Sequence, residues 1–164
     1  MYPSKEAGNP TSTEESLPLL IARARHAVLR MLEAELASLG VSTVQCMIIL
    51  RLHGGSRNTA GALSRFSGVD SGAMTRLLDR LAEKGLLVRS PDEKDRRSVR
   101  VLLTERAQEL VPALQASVGR VHDRLVQQGE AENVARFMRF LGDVIRAATL
   151  VTEADADMPA GGKG

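Results

Sequence analysis

The sequence predicts a mainly α-helical chain with one small β-hairpin. Three observations lead to it. Three long stretches place apolar residues at steps of three and four, the period of an amphipathic helix. In mid-chain a short helical segment, a glycine turn and a longer helical segment follow one another. Beyond them, two short apolar runs, Leu86-Leu87-Val88 and Val101-Leu102-Leu103, flank the octet PDEKDRRS (91–98), in which six of eight residues are charged.

The first long pattern spans Ser16 to Leu39, with Leu17, Leu20, Ile21, Ala24, Val28, Met31, Leu32 and Leu39 on one face and Gly40 as its stop. Ser42 and Gln45 have the spacing of a capping box, and the helix they open, CMIILRLH, is apolar nearly all round and should be central. Asn58 is placed to cap a short helix from Thr59 to Phe66. Ser67-Gly68-Val69 makes a tight turn, and Asp70 or Ser71 caps a helix that runs to Lys84 and stops at Gly85. Met74, Leu77, Leu78 and Leu81 form its buried stripe, while Ser71, Gly72, Thr75, Arg76, Asp79 and Arg80 face away. This is a helix-turn-helix pattern. With the basic-tipped hairpin directly after it, the whole is a winged helix-turn-helix. In that geometry the second helix enters a major groove and the charged tip reaches phosphates or a minor groove. The bland alternative for the octet is a solvated turn.

Thr104 is placed to cap the next long helix, whose stripe is Ala107, Leu110, Val111, Leu114, Val118, Val121 and Leu125, with Pro112 expected to bend it. After Gln128-Gly129 a last helix, from Glu130 to Leu150, carries Val134, Phe137, Met138, Leu141, Val144, Ile145 and Ala148. The expected organisation is a disordered tail over 1–15, a helical dimerisation region over 16–40 and 104–150, a winged helix-turn-helix domain over 41–103, and a second disordered tail over 151–164. The first and the last two helices have long apolar faces and little of their own chain to cover them. They are expected to pair with the same helices of a second copy, giving a homodimer.

Composition narrows the function. A chain of 164 residues is long enough for a real core. No apolar run approaches the ~20 residues that cross a bilayer, and the start lacks a signal peptide's apolar centre. The single cysteine, Cys46, fits a reducing compartment. A cytoplasmic protein with no membrane partner is expected. Aromatics are restricted to Tyr2, Phe66, Phe137 and Phe140, too few for a base-stacking platform on single strands. Charge is uneven. Residues 57–106 hold 11 Lys or Arg against 7 Asp or Glu, whereas the remainder holds 11 against 13. A basic centre in a soluble scaffold suits duplex nucleic acid.

The segment VDSGAMTRLLDRLAEKGLLVRSPDEKDRRSVRVLLTERA (69–107) resembles the MarR family of bacterial transcription regulators. It carries that family's recognition helix, its wing signature D-x-R at Asp95-Arg96-Arg97 and its closing Leu103-Thr104. The likeness extends over residues 16–150. It implies a dimeric regulator, mostly a repressor, that binds palindromic double-stranded DNA and releases it when a small phenolic or anionic effector binds. Carried over by position, Thr75 and Arg76 face base edges, and Arg76 suits guanine. Ser71, Arg65 and Arg80 contact phosphate, Arg97 probes the minor groove, and Asp95 holds the wing tip, in one arrangement by pairing with Arg97. Arg96 touches phosphate or stays in water, and Arg65 has the same solvated alternative. The chain departs from the family at Cys46, where an aromatic is frequent, and at Ser67, where a large aliphatic is frequent. The neighbouring Phe66 is expected to fill the space that Ser67 leaves.

Family effectors lodge where the dimerisation helices meet the winged domain, so Arg23, Arg25, His26 and Arg30 are the candidate ligand-binding cations. The alternative for them is an ordinary charged helix surface. The family's urate-responsive branch uses a tryptophan, which this chain lacks, and its peroxide sensors use a cysteine in the first helix, which is also missing. Cys46 remains the one thiol for a redox-sensing regulator, against its reading as a small core residue. His26, His53 and His122 have no ligand spacing, so no metal and no cofactor are expected. No nucleophile–base pair or phosphate-cradling loop suggests an enzyme. The competing class is a protein-interaction module that keeps the winged fold but does not read DNA.

Overall fold

The computed structural model describes residues 16–55, 59–91 and 99–156, with side chains to Thr149. The expected tails over 1–15 and 157–164, the Asn58 cap, and Asp95, Arg96 and Arg97 lie outside the described residues. Six helices and one antiparallel hairpin are described, in the order α1 Leu17–Leu36, α2 Thr43–His53, α3 Ala60–Ser67, α4 Ser71–Glu83, β1 Leu87–Pro91, β2 Val99–Leu103, α5 Glu105–Val126 and α6 Ala131–Ala156. By internal contacts the chain divides into one unit up to Val121 and another from His122 onward.

In the first unit, α1 tightens into a 3-10 turn at Ala37–Leu39, and Gly40 ends it at φ 65, a left-handed conformation that a side chain would oppose. The capping box is present in full. The Ser42 hydroxyl accepts from the Gln45 N–H at 3.3 Å, and the Gln45 side-chain oxygen accepts from the Ser42 N–H at 3.1 Å. The α2 helix is central, with Cys46, Ile48 and Ile49 buried. The cap of α3 is Thr59, whose hydroxyl accepts from Ala62 N–H at 3.3 Å, one residue later than the Asn58 expectation. Gly68, at φ 69, makes the turn into α4, where the Asp70 carboxylate caps Ala73 at 2.9 Å.

The hairpin pairs Leu87 with Leu103 through Pro91 with Val99. An added antiparallel bridge joins Thr59 to Arg100, so the chain before α3 rests on β2. Thr104 starts α5 as expected, its hydroxyl accepting from Ala107 N–H at 3.2 Å. The core joins Leu36, Val41, Cys46, Ile48, Ile49, Leu63, Met74, Leu78, Leu81, Leu86, Leu87, Val101, Ala107, Val111 and Leu114. Two expectations change here. The α5 stripe is covered by its own chain as far as Val121, with Ala107, Val111, Leu114 and Val121 buried and Val118 packed partly against the core. Phe66 fills no space beside Ser67. It is 41% exposed, with the Arg51 guanidinium 4.7 Å over its ring, while the Ser67 hydroxyl donates to Leu63 O.

The second unit holds the end of α5 and α6. The break at 127–129 falls where Gln128-Gly129 predicts it. The expected tail over 151–164 is corrected for 151–156, which are helical. Polar residues without Gly or Pro do not stop a helix, and none occurs there before Pro159. No described side chain of α6 is buried.

Candidate nucleic-acid interface

The fold sets α4 on its apolar stripe. Met74 and Leu81 are fully buried, Leu78 nearly so, and Leu77 packs partly against the core. The period of the helix then fixes the other side. Ser71, Gly72, Thr75, Arg76 and Arg80 are all exposed, as the sequence pattern requires. Arg65, on α3, is exposed as well. Gly72 keeps the helix surface low. A Cβ there would sit 3.4 Å from Asp70 Oδ1 and 3.9 Å from Arg76 Nη1, so Arg76 lies over the first turn. The Thr75 hydroxyl donates back to Ser71 O at 2.9 Å. Of the N–H groups at this helix start, the Ala73 N–H is taken by Asp70.

Five contacts hold α4 in place. Arg89 on β1 pairs with Asp79 at 2.7 Å, which ties the helix to the hairpin. The Lys84 ammonium donates to Gly40 O at 2.7 Å and to Gln45 Oε1 at 3.2 Å, anchoring the end of α4 to the α1–α2 turn. Arg106 donates to Lys84 O at 3.1 Å. The Thr104 hydroxyl donates to Gly85 O at 2.7 Å. The Arg89–Asp79 pair has both side chains nearly half exposed, so its contribution to stability is small. Its consequence is positional. The sequence pattern points Asp79 outward and carries no sign of its pairing with Arg89, because no local spacing signals a pair formed across the helix–hairpin corner.

The candidate ligand residues Arg23, Arg25, His26 and Arg30 are all exposed on α1. A concavity of about 680 Å³ opens against Leu19, Ala22, Arg23 and His26, so two of the four come together and Arg25 and Arg30 do not line it. Cys46 is 2% exposed, and burial pushes its thiol up, away from the reactive thiolate. Among the described residues no three His, Cys, Asp or Glu side chains form a metal-sized group, and no single helix is long and apolar enough to cross a membrane.

A two-helix corner with an exposed polar face on its second helix, followed at once by an antiparallel hairpin, defines a winged helix-turn-helix protein. The MarR family model matches residues 41–99, the same segment. The chain is 31% identical over 117 residues to the multiple antibiotic resistance protein MarR of Escherichia coli, covering 71% of this chain and 81% of that relative. It belongs to the MarR family of transcription regulators. A mutant MarR from Escherichia coli, solved with operator DNA, matches with a TM-score of 0.71 at 30% identity, over 80% of this chain and 96% of that one. CouR from Rhodococcus jostii, solved with p-coumaroyl-CoA bound, matches with a TM-score of 0.74 at 21% identity, over 82% of this chain and 95% of that one, a likeness of fold alone.

Proposed function

We propose that this protein is a homodimeric repressor that binds a pseudo-palindromic operator through α4 and the hairpin and leaves it when a small phenolic or anionic effector binds. The observation that carries the reading is the exposed row Ser71, Gly72, Thr75, Arg76 and Arg80, set opposite the buried Met74, Leu78 and Leu81 and tied to β1. It is supported by the 30% identical MarR structure on operator DNA. Arg76 is assigned to a guanine edge, and Ser71, Arg80 and Arg65 to phosphates. Arg97, with Arg96 and Asp95, is assigned to the minor groove and its rim. The effector is assigned to the α1 concavity, where Arg23 and His26 would face a carboxylate. The buried, protonated Cys46 speaks against thiol sensing.

A mobility-shift titration against a duplex selected from a random pool tests this reading. Half-sites roughly one helical turn apart are expected, with affinity falling steeply as salt rises. Arg76→Ala should relax base preference and cost about 1–3 kcal/mol, and Arg97→Ala should weaken binding most where the minor groove is narrow. If neither variant changes binding, the assignment is wrong. Salt-insensitive association with a protein, with no duplex bound at low salt, would instead favour the interaction-module reading.

A further inference from the structure

Thr75 is exposed in the middle of the α4 outer row, beside Arg76, yet its hydroxyl proton is already committed. Oγ1 donates to the carbonyl of Ser71 at 2.9 Å, one turn earlier in the same helix. The Asp79 carboxylate, one turn later, is engaged by Arg89 through Oδ1 at 2.7 Å. A threonine in this state has no donor left for a base. It offers a methyl group and the remaining acceptor capacity of its oxygen. In the major groove thymine alone presents a methyl group, and threonine's methyl is an apolar match for it. Base-edge acceptors such as guanine O6 and N7 would require the hydroxyl to give up its bond to Ser71. We propose that Thr75 is a specificity-determining residue that recognises a thymine in each half-site through its 5-methyl group, next to the base read by Arg76. This rests on the DNA-reading function proposed above.

The experiment uses the full chain and the duplex selected by the wild type, with each thymine of a half-site replaced in turn by uracil, which differs only in lacking the methyl group. One such replacement should weaken the wild type about fourfold per half-site, the factor for losing one buried methyl-sized group. Thr75→Val keeps the methyl and loses the oxygen, so it should bind within about twofold of wild type and respond to uracil as the wild type does. Thr75→Ser keeps the hydroxyl and loses the methyl. It acts in both copies, so it should bind about sixteenfold more weakly, about fourfold for each half-site, and be indifferent to uracil at that position. The inference is overturned if no uracil replacement weakens the wild type, or if Thr75→Ser binds normally. It is equally overturned if Thr75→Val loses binding while Thr75→Ser keeps it, because the oxygen would then be the reading group. Sequence-selective binding alongside any of these results leaves the regulator reading standing. Failure of the wild type to select any duplex sinks both.

Discussion

Cys46 illustrates how environment decides what a side chain can do. It sits one position beyond the capping box, on the helix buried at the centre of the core. There the thiol is a small apolar group, and desolvation holds its proton on. The sign of the linkage follows. In the unfolded chain the thiol ionises in the ordinary range, near pH ~8.5, while in the folded protein it ionises higher. Above that range the unfolded state binds fewer protons, so stability falls as pH rises. Urea titrations at neutral and at alkaline pH should show this loss in the wild type and a smaller loss in Cys46→Ala. Peroxide at neutral pH should leave operator binding unchanged, and release of the operator by peroxide would make Cys46 a sensor after all. Phe66 shows the same dependence on surroundings. Its bulk suggests a core residue, but on the outer side of α3 it is stabilised by the Arg51 guanidinium over its ring.

Among the elements, the junction of hairpin and α5 concentrates two functions in one side chain. The Thr104 hydroxyl accepts from Ala107 N–H at the start of α5 and donates to Gly85 O at the end of the α4 corner. Its backbone N–H also donates to Leu86 O. Thr104→Ala removes a cap and a hydroxyl donor together, and should cost about 1–3 kcal/mol. Thr104→Ser should recover most of that, measured by urea unfolding. Equal loss in both variants would mean the methyl packing matters more than the hydroxyl. What was legible in the sequence was of this local kind. Ser42 with Gln45, Gly40, Gly68 and Thr104 mark ends through contacts three or four residues away, and the α4 stripe follows from period alone. The sequence does not separate the cap at Thr59 from Asn58 beside it, because both have suitable side chains. The Arg89–Asp79 and Lys84–Gly40 ties were invisible, since they join residues 10 and 44 positions apart through the tertiary fold. Of the site, the exposed row on α4 was readable and the back-bond that fixes Thr75 was not, because a threonine hydroxyl chooses among several acceptors.

At the scale of the whole molecule, the two ends of the chain present apolar surface in different ways. In the first unit, α1 buries Leu36 but leaves Leu17, Leu19 and Leu20 exposed. In the second, α6 runs for 26 residues and leaves Phe137, Met138, Phe140 and Ile145 uncovered, Ile145 by 66%. An isolated helix with such a face gains little from propensity alone and is stabilised by burying it. A two-fold dimer meets that need, and it also supplies the second α4 that a palindromic operator requires. In a two-fold interface each substitution acts twice. Burying one isoleucine contributes about 1.5–3 kcal/mol, so Ile145→Glu should weaken the dimer by about 3–6 kcal/mol, or about a hundredfold to ten-thousandfold in Kd. Sedimentation equilibrium should find the wild type dimeric and the variant shifted to single copies. The melting temperature of the wild type should rise with protein concentration, because association stabilises the folded state by mass action. Operator affinity should fall with the dimer, since one α4 reads only one half-site. A variant that stayed dimeric and bound the operator normally would remove α6 from the interface and require the α1 face alone to join the two copies.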